Sequence, residues 1–331
     1  MSTQNFSSEE RATPPEGNIQ RASRLMPMAM RSQDAILESV SAPEIRVAVL
    51  MTCYNRREVT LHCLAALFAQ ERLDCTLRVF LVDDASTDGT AQALAHRYPD
   101  VRLYNGSGSL FWNRGMHAAF GHALDEDFDY YLWLNDDTIL TPTAIGAMLD
   151  TASKLASEKI EAIVVGNTRD STTGQHTYGG MLKGRGLRPG AFSLATPSST
   201  SITACDTMNG NCTLIPRAVA QSVGNLDISF HHNFGDLDYG LRAKARGLGI
   251  YMAPGFVGEC NENSRVATWK DPQAGFSVRW AHLTSPKGCP WSEWSVFSRR
   301  HLGPLWFLYA VSPYVKVILQ SAVKGLFGRA S

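Results

Sequence analysis

What most constrains this 331-residue chain is a set of apolar runs that break abruptly into polar and acidic residues. Ile45 to Met51, within IRVAVLMTCYNR, is almost wholly apolar; TLRVFLVDDASTDGT breaks at Asp83; YYLWLNDDTILTP breaks at Asn135. Such runs lack polar alternation, so they predict strands covered on both faces, as in a parallel sheet flanked by helices. Between them, residues 58–70 place Val59, Cys63, Ala66, Leu67 and Gln70 at helical spacing. Thr87-Asp88-Gly89 then turns the chain into a second helix, AQALAHRY. Repeated strand–helix units whose strands end in polar residues predict an open α/β sheet that meets its ligand along that edge.

Downstream, VRLYNG reads as a short third strand and NGSGSLFWNRGMHAAFGHAL as a glycine-bearing loop running into a helix. A helix is expected near 143–156, a strand at AIVVGNT, and a helix over 238–244 that stops at Gly247. Residues 170–203, rich in Gly, Ser and Thr, read as a hairpin or loop region with no assignable element.

A hydrophobic content of 44% supports one large domain or two closely fused halves. Basic and acidic residues balance at 31 each, which gives no basic field for nucleic acid, so a charged partner must be met locally. The seven cysteines lack a CxxC pair and mostly lie in apolar runs, where Cys behaves as a small hydrophobe; a reducing, cytosolic setting is expected. Residues 1–44 have no apolar signal core and read as a disordered leader. After Glu293 there is no acid, while Arg299, Arg300, Lys316, Lys324 and Arg329 punctuate LGPLWFLYAVSPYV and VILQSAV. These runs fall short of the roughly 20 apolar residues of a membrane span. The segment 261–331 is expected to be helical, either lying on a membrane surface or packed on the core.

Asp136 and Asp137 stand at the end of a buried strand, where a site on an α/β sheet is expected. Two carboxylates cannot bind a diphosphate directly, but Mg²⁺ or Mn²⁺ bridging them reverses the sign, and oxygen ligands suit these hard cations. The same ion stabilises a departing diphosphate. Taken alone, an Asp-Asp pair reads equally as a solvated strand end or helix cap.

Four segments change that balance. VLMTCYNR, VFLVDDASTDGT, LNDDTILTP and GDLDYGLRAKARG occur in the order and spacing of family 2 glycosyltransferases with the GT-A fold, and the resemblance covers about residues 45–257. It implies a Rossmann-like open mixed sheet flanked by helices, with a nucleotide-binding half at 45–140, an acceptor half at 141–260 and a helical C-terminal extension. It also implies inverting transfer of a sugar from a UDP-, dTDP- or GDP-sugar to a glycan or lipid-linked acceptor in cell-surface polysaccharide synthesis. The expected location is cytoplasmic, with peripheral contact at the cytoplasmic face of the inner membrane.

Carried over motif by motif, Thr52, Cys53, Tyr54 and Asn55 line the base pocket. Asp84, with Asp83 beside it, accepts hydrogen bonds from base or ribose. Asn113 and Gly115 stand where the family opens a helix beside the nucleotide, a place where free N–H groups suit an anion. Asp137 is the expected metal ligand, and Asp136 serves the metal, ribose or donor sugar. Phe111 and Trp112 are packing or sugar-facing. Asn209, Gly210 and Asn211 are acceptor-side contacts. Asp236 occupies the base position, with Gly235 replacing the family's first acid; Asp238 is the second choice, although its spacing to Arg242 suggests bracing. His231 and His232 would need a third ligand to hold a metal. Arg265, His282 and Lys287 are candidates to close over the diphosphate.

Three rivals remain. A dinucleotide oxidoreductase needs a glycine-rich turn after its first strand, and no glycine occurs between Ile45 and Asp88. A sugar-nucleotide nucleotidyltransferase would want a glycine-rich first loop where TCYNRREVT stands. An inactive nucleotide-sugar-binding protein would have little reason to keep Asp84, Asp136, Asp137 and Asp236.

Overall fold

A computed structural model of the protein describes residues 44–71, 74–184, 186 and 190–327, which belong to one compact unit, Pro43–Ser331. The leader expected over 1–44 lies outside the described residues except for Glu44.

The apolar runs become the centre of an eight-stranded mixed sheet. Strands β1 (Ile45–Cys53), β2 (Cys75–Asp83), β3 (Arg102–Asn105) and β4 (Tyr130–Leu134) are parallel, with β1 paired to both β2 and β4. Beyond β4 the order continues through Cys212–Pro216, Ala162–Val165, Gly249–Met252 and Thr203–Ala204. Strand Cys212–Pro216 runs antiparallel to β4, with Cys212 opposite Leu134. That reversal brings the residues before Cys212 to the C-terminal end of β4.

Both faces of the sheet are covered, as continuous hydrophobicity requires. Val47, Val49 and Met51 pack with helices α1 (Arg57–Phe68), α2 (Thr90–Arg97) and α4 (Ala144–Ser157). On the opposite face, Ala48 and Leu50 pack with α3 (Phe111–Leu124), α5 (Arg217–Val223) and α6 (Gly235–Ala245). The buried face of α1 is Leu61, Cys63, Leu64 and Leu67, rotated from the expected one so that Val59 is exposed. All seven cysteines are buried free thiols.

Two small sheets account for the unassigned region. His176–Tyr178 joins Thr168–Arg169, Gly258–Glu259 and Ile139–Leu140, while Gly180–Lys183 pairs with Phe192–Leu194 and Thr207–Met208. Strands this short show no readable period, which is why sequence patterning misses them.

Helix α6 begins three residues before the expected position. Its N-cap is Phe234 in the left-handed region at φ 72°. The C-terminal segment is helical, as expected: α7 (Phe276–Thr284), α8 (Trp291–His301) and α9 (Trp306–Phe327). A third apolar cluster, including Phe230, Leu241, Leu283, Trp294, Phe297 and Val317, packs these helices on the base of α6. Helix α9 also carries Phe307, Leu308, Val311, Val315, Leu319 and Val323 on its exposed surface. Among the described residues no helix is long and apolar enough to cross a membrane.

Candidate active site

The strand ends assemble the site. Asp136 and Asp137 follow β4, and both reach the Arg56 guanidinium, which stands at the N-cap of α1 directly after the β1 loop. Nη1 lies 3.1 Å from Asp136 Oδ1 and Nη2 lies 2.8 Å from Asp137 Oδ2. Asp136 is buried and also accepts from Thr60 Oγ1 at 3.4 Å. Burial pushes its carboxyl up to about 7, and the like charge of Asp137 works the same way against the opposing pull of Arg56. Asp137 is more open, with 22% of its side chain exposed, and Cys260 Sγ lies 3.5 Å from its Oδ1. Cys260 is in turn 3.4 Å from Asn211 Nδ2.

The antiparallel strand delivers the acceptor-side residues to this edge. Asn135 donates its backbone N–H to the Asn211 carbonyl at 2.9 Å, and its side-chain oxygen accepts from the Trp112 indole at 2.7 Å. The Trp112 ring lies so close to Gly210 that a β-carbon there would overlap it. Gly210 donates its N–H to Asp236 Oδ2 at 3.1 Å, and Leu237 donates to Asp236 Oδ1 at 2.7 Å. A chain of contacts thus links the acidic pair of β4 to Asp236 on α6. Asp236 is partly buried at the start of that helix. Burial raises its pKa against the pull of those two amides, so it is a better proton acceptor than a free aspartate.

Asp238, two residues on, has a different environment. It is 0% exposed and meets Arg242 Nε at 2.8 Å, Arg300 Nη1 at 2.5 Å and His301 Nε2 at 2.8 Å. Burial alone would raise its pKa; the His301 hydrogen bond and the arginine charges outweigh that and lower it. A carboxylate enclosed by three cationic or donor groups cannot collect a proton from a substrate. The Arg242 contact is the bracing that the spacing suggested, and the contacts with Arg300 and His301 tie α8 to α6, which leaves Asp238 poorly placed as second choice of base.

Several nucleotide-side expectations take a different form. Asp84 is buried and accepts the backbone N–H groups of Gly108 at 2.7 Å, Leu110 at 2.8 Å and Phe111 at 3.1 Å. Its contacts hold the glycine-bearing loop, including Phe111 at a left-handed φ of 56°. Asp83 is buried too, with Oδ1 accepting from Ser86 N at 3.0 Å. Asn113 is wholly buried; its amide donates to the carbonyls of Asp227 and Phe230, each at 2.8 Å. Gly115 packs against Thr52, whose hydroxyl donates to Val82 O at 3.1 Å. These four side chains and Gly115 build the walls of the edge from behind. Cys53 is buried, and burial raises its thiol pKa. Asn55, at φ 51°, ties the β1 loop to the β2 loop through Thr87 N at 2.7 Å. Tyr54 is 52% exposed and presents an aromatic face.

A β-carbon at Gly235 would overlap Asn113 Oδ1, so a side chain there would require the buried Asn113 to move. A family model described as "Glycosyltransferase like family 2" matches residues 43–280. The chain belongs to this family. It is a glycosyltransferase with a GT-A-like fold.

Curated relatives of this family 2 chain include N-acetylglucosaminyl-diphospho-decaprenol L-rhamnosyltransferase from two Mycobacterium tuberculosis strains, CDC 1551 / Oshkosh and ATCC 25618 / H37Rv. Each is 26% identical over 217 residues, covering 59% of this chain and 69% of the relative. Among solved structures, S. aureus TarS is similar in fold, at TM-score 0.50 and 13% identity, over 78% of this chain and 44% of that one. The mannosyltransferase PcManGT from Pyrobaculum calidifontis, solved with GDP-Man and Mn²⁺, gives TM-score 0.49 and 16% identity over 85% of this chain and 75% of that one.

No group of three His, Cys, Asp or Glu converges to hold a metal among the described residues. Asp136 and Asp137, which already share one cationic group, nevertheless fit a hard divalent ion of the kind that keeps few protein ligands and takes the rest from phosphates and water. The histidine pair joins no group of three metal-ligating side chains among the described residues; His231 Nδ1 is held by buried Glu293 at 2.7 Å, and burial pushes His232 down to about 4. Arg265 is exposed and paired with Glu262 at 2.9 Å. Sequence reasoning missed Arg56, Cys260 and the indole bridge of Trp112. For Arg56 a signal was present, since it ends the YNR that follows the first strand.

Proposed function

We propose that this family 2 glycosyltransferase moves a sugar from a UDP-, dTDP- or GDP-sugar to a hydroxyl of a lipid-linked glycan, with inversion, at the cytoplasmic face of a membrane. The observation that carries the reading is the continuous line from Asp137 through Asn135, Trp112 and Gly210 to Asp236, which sets a leaving-group end and a base end on one sheet edge. In this reading Tyr54 offers its face to the nucleobase, and the Asp83 and Asp84 loops shape the pocket around the ribose. Asp137 and Asp136 hold Mg²⁺ or Mn²⁺, which supplies charge neutralisation to the departing diphosphate. The acceptor, lying along Asn209–Asn211, presents its hydroxyl to Asp236. The hydroxyl oxygen bonds to the anomeric carbon from the face opposite the diphosphate, its proton passes to Asp236 Oδ, and the bond from anomeric carbon to phosphate oxygen breaks with its electrons leaving on the nucleoside diphosphate.

Rhamnosyl transfer to a polyprenyl-diphosphate-linked sugar is the specific reaction favoured by the 26% identical relatives. A membrane-borne acceptor also accounts for the exposed apolar surface of α9, which carries Lys316 within it. Asp236→Asn tests the reading: donor binding should persist while transfer falls by about 10²–10⁴-fold, the range for a lost proton acceptor. Transfer at the parent rate would refute the base assignment. NMR of the product linkage checks inversion, and screening donors with membrane lipid extract identifies the sugar.

A further inference from the structure

We infer that Arg56 is a built-in competitor of the divalent cation, displaced only when a nucleoside diphosphate offers it a new partner, so that metal and donor bind cooperatively. The inference rests on the proposal that Asp136 and Asp137 hold the metal beside the donor diphosphate. One guanidinium spans both residues at 3.1 and 2.8 Å, so it occupies Oδ1 of Asp136 and Oδ2 of Asp137, two of the four oxygens the pair offers. A doubly charged ion approaching the occupied pair meets the repulsion of the arginine, and with the arginine withdrawn that repulsion is gone.

Three further features make the exchange workable. The Arg56 side chain is 43% exposed, so it can swing outward without a large desolvation cost. The carboxylates do not depend on it for orientation: Asp136 keeps Thr60 at 3.4 Å, and Asp137 keeps Cys260 at 3.5 Å, itself backed by Asn211. Finally, a planar guanidinium that leaves a carboxylate pair is suited to a phosphate, where the same fork geometry is met bidentately. A diphosphate on the metal therefore both adds ligands to the ion and removes its competitor. Linkage is reciprocal, so metal must raise nucleotide affinity by the same factor.

The test measures Mn²⁺ binding to the full chain by electron paramagnetic resonance, alone and with saturating UDP, dTDP or GDP, for the parent, Arg56→Gln, Arg56→Lys and Asp137→Ala. For the parent we expect weak Mn²⁺ binding alone, strengthened at least about tenfold by one of the nucleotides, within the usual range of coupling between sites. Arg56→Gln should bind Mn²⁺ alone about tenfold more tightly than the parent and lose most of that strengthening. Arg56→Lys, which keeps the charge but not the fork, should fall between. Parent-like or weaker Mn²⁺ binding in Arg56→Gln, with an unchanged melting temperature, overturns the inference while leaving the metal site standing. If the parent binds no Mn²⁺ with any of the nucleotides, or Asp137→Ala binds as well as the parent, the metal reading falls and the inference falls with it.

Discussion

Two clusters in this enzyme are built from the same parts, aspartate and arginine, and their environments give them opposite capacities. At the strand edge, Asp136 and Asp137 share one half-exposed arginine, and Asp137 remains open to solvent. Under α6, Asp238 is sealed by Arg242, Arg300 and His301, and Arg242 and Arg300 bond onward to the Val223 and Asn225 carbonyls and to Asp227. The counterion of the first cluster is half-exposed, whereas that of the second is held in the packing of α8. Charge alone therefore does not mark a functional acid. What matters is whether its partner can leave.

The largest expected effect comes from breaking the sealed cluster. Asp238→Asn leaves Arg242 and Arg300 facing each other without the shared negative charge and should cost about 3 kcal/mol, the lower end for breaking a buried pair. Arg56→Gln at the open edge should cost under about 1 kcal/mol, as partly exposed pairs do. Urea denaturation of both variants checks the contrast, and equal losses would abolish it. The comparison extends to pH. Because the folded-state pKa of Asp238 is lowered, its stabilisation is present above the unfolded value of about 3.9 and is lost as pH falls through the folded value. The parent should therefore lose stability steeply in that acid window, and Asp238→Asn less steeply.

A smaller effect is expected between the two clusters, where Gly235 lies against Asn113. Gly235→Ala forces its new methyl group into the Asn113 amide and should cost about 1–3 kcal/mol by overpacking. The displaced helix start would also slow transfer through Asp236. A thermal melt paired with the transfer rate measures both, and an unshifted melt would show that the site tolerates a side chain.

The smallest effect on stability is expected at the outer surface. Leu308→Glu with Leu319→Glu alters residues that are 55% and 59% exposed, so folding should change by no more than about 0.5 kcal/mol per substitution. Sedimentation with phosphatidylglycerol-containing vesicles should nevertheless fall, because each half-exposed leucine that enters a bilayer contributes on the order of 1 kcal/mol. Transfer to a short-chain, water-soluble acceptor should persist. Undiminished sedimentation would remove the membrane role from α9.

Much of the catalytic half was legible from the chain. The runs ending at Cys53, Asp83 and Leu134 are strands β1, β2 and β4, because continuous hydrophobicity over that length has few other solutions. The pattern also put Asp136, Asp137 and Asp236 at element ends, where a ligand edge belongs. Roles were harder to read. Asp84 and Asp238 look like ligand-facing acids in the sequence, yet one holds three backbone amides and the other two arginines and a histidine. Apart from Arg242, four residues on along the same helix, these partners lie 24 to 63 residues away, beyond any local pattern.

By itself the sequence determined the main strands and helices of the nucleotide-binding half, the edge on which the acids fall and the family, since periodicity and short motifs are local properties. Only the tertiary structure decided how each acid is partnered. That depends on the reversed strand Cys212–Pro216, which brings Gly210 and Asn211 to Asn135 and Asp236, and on α8, which closes over Asp238. A carboxylate's reactivity is set by its solvation and by the mobility of its counter-charge, and both follow from packing between distant segments.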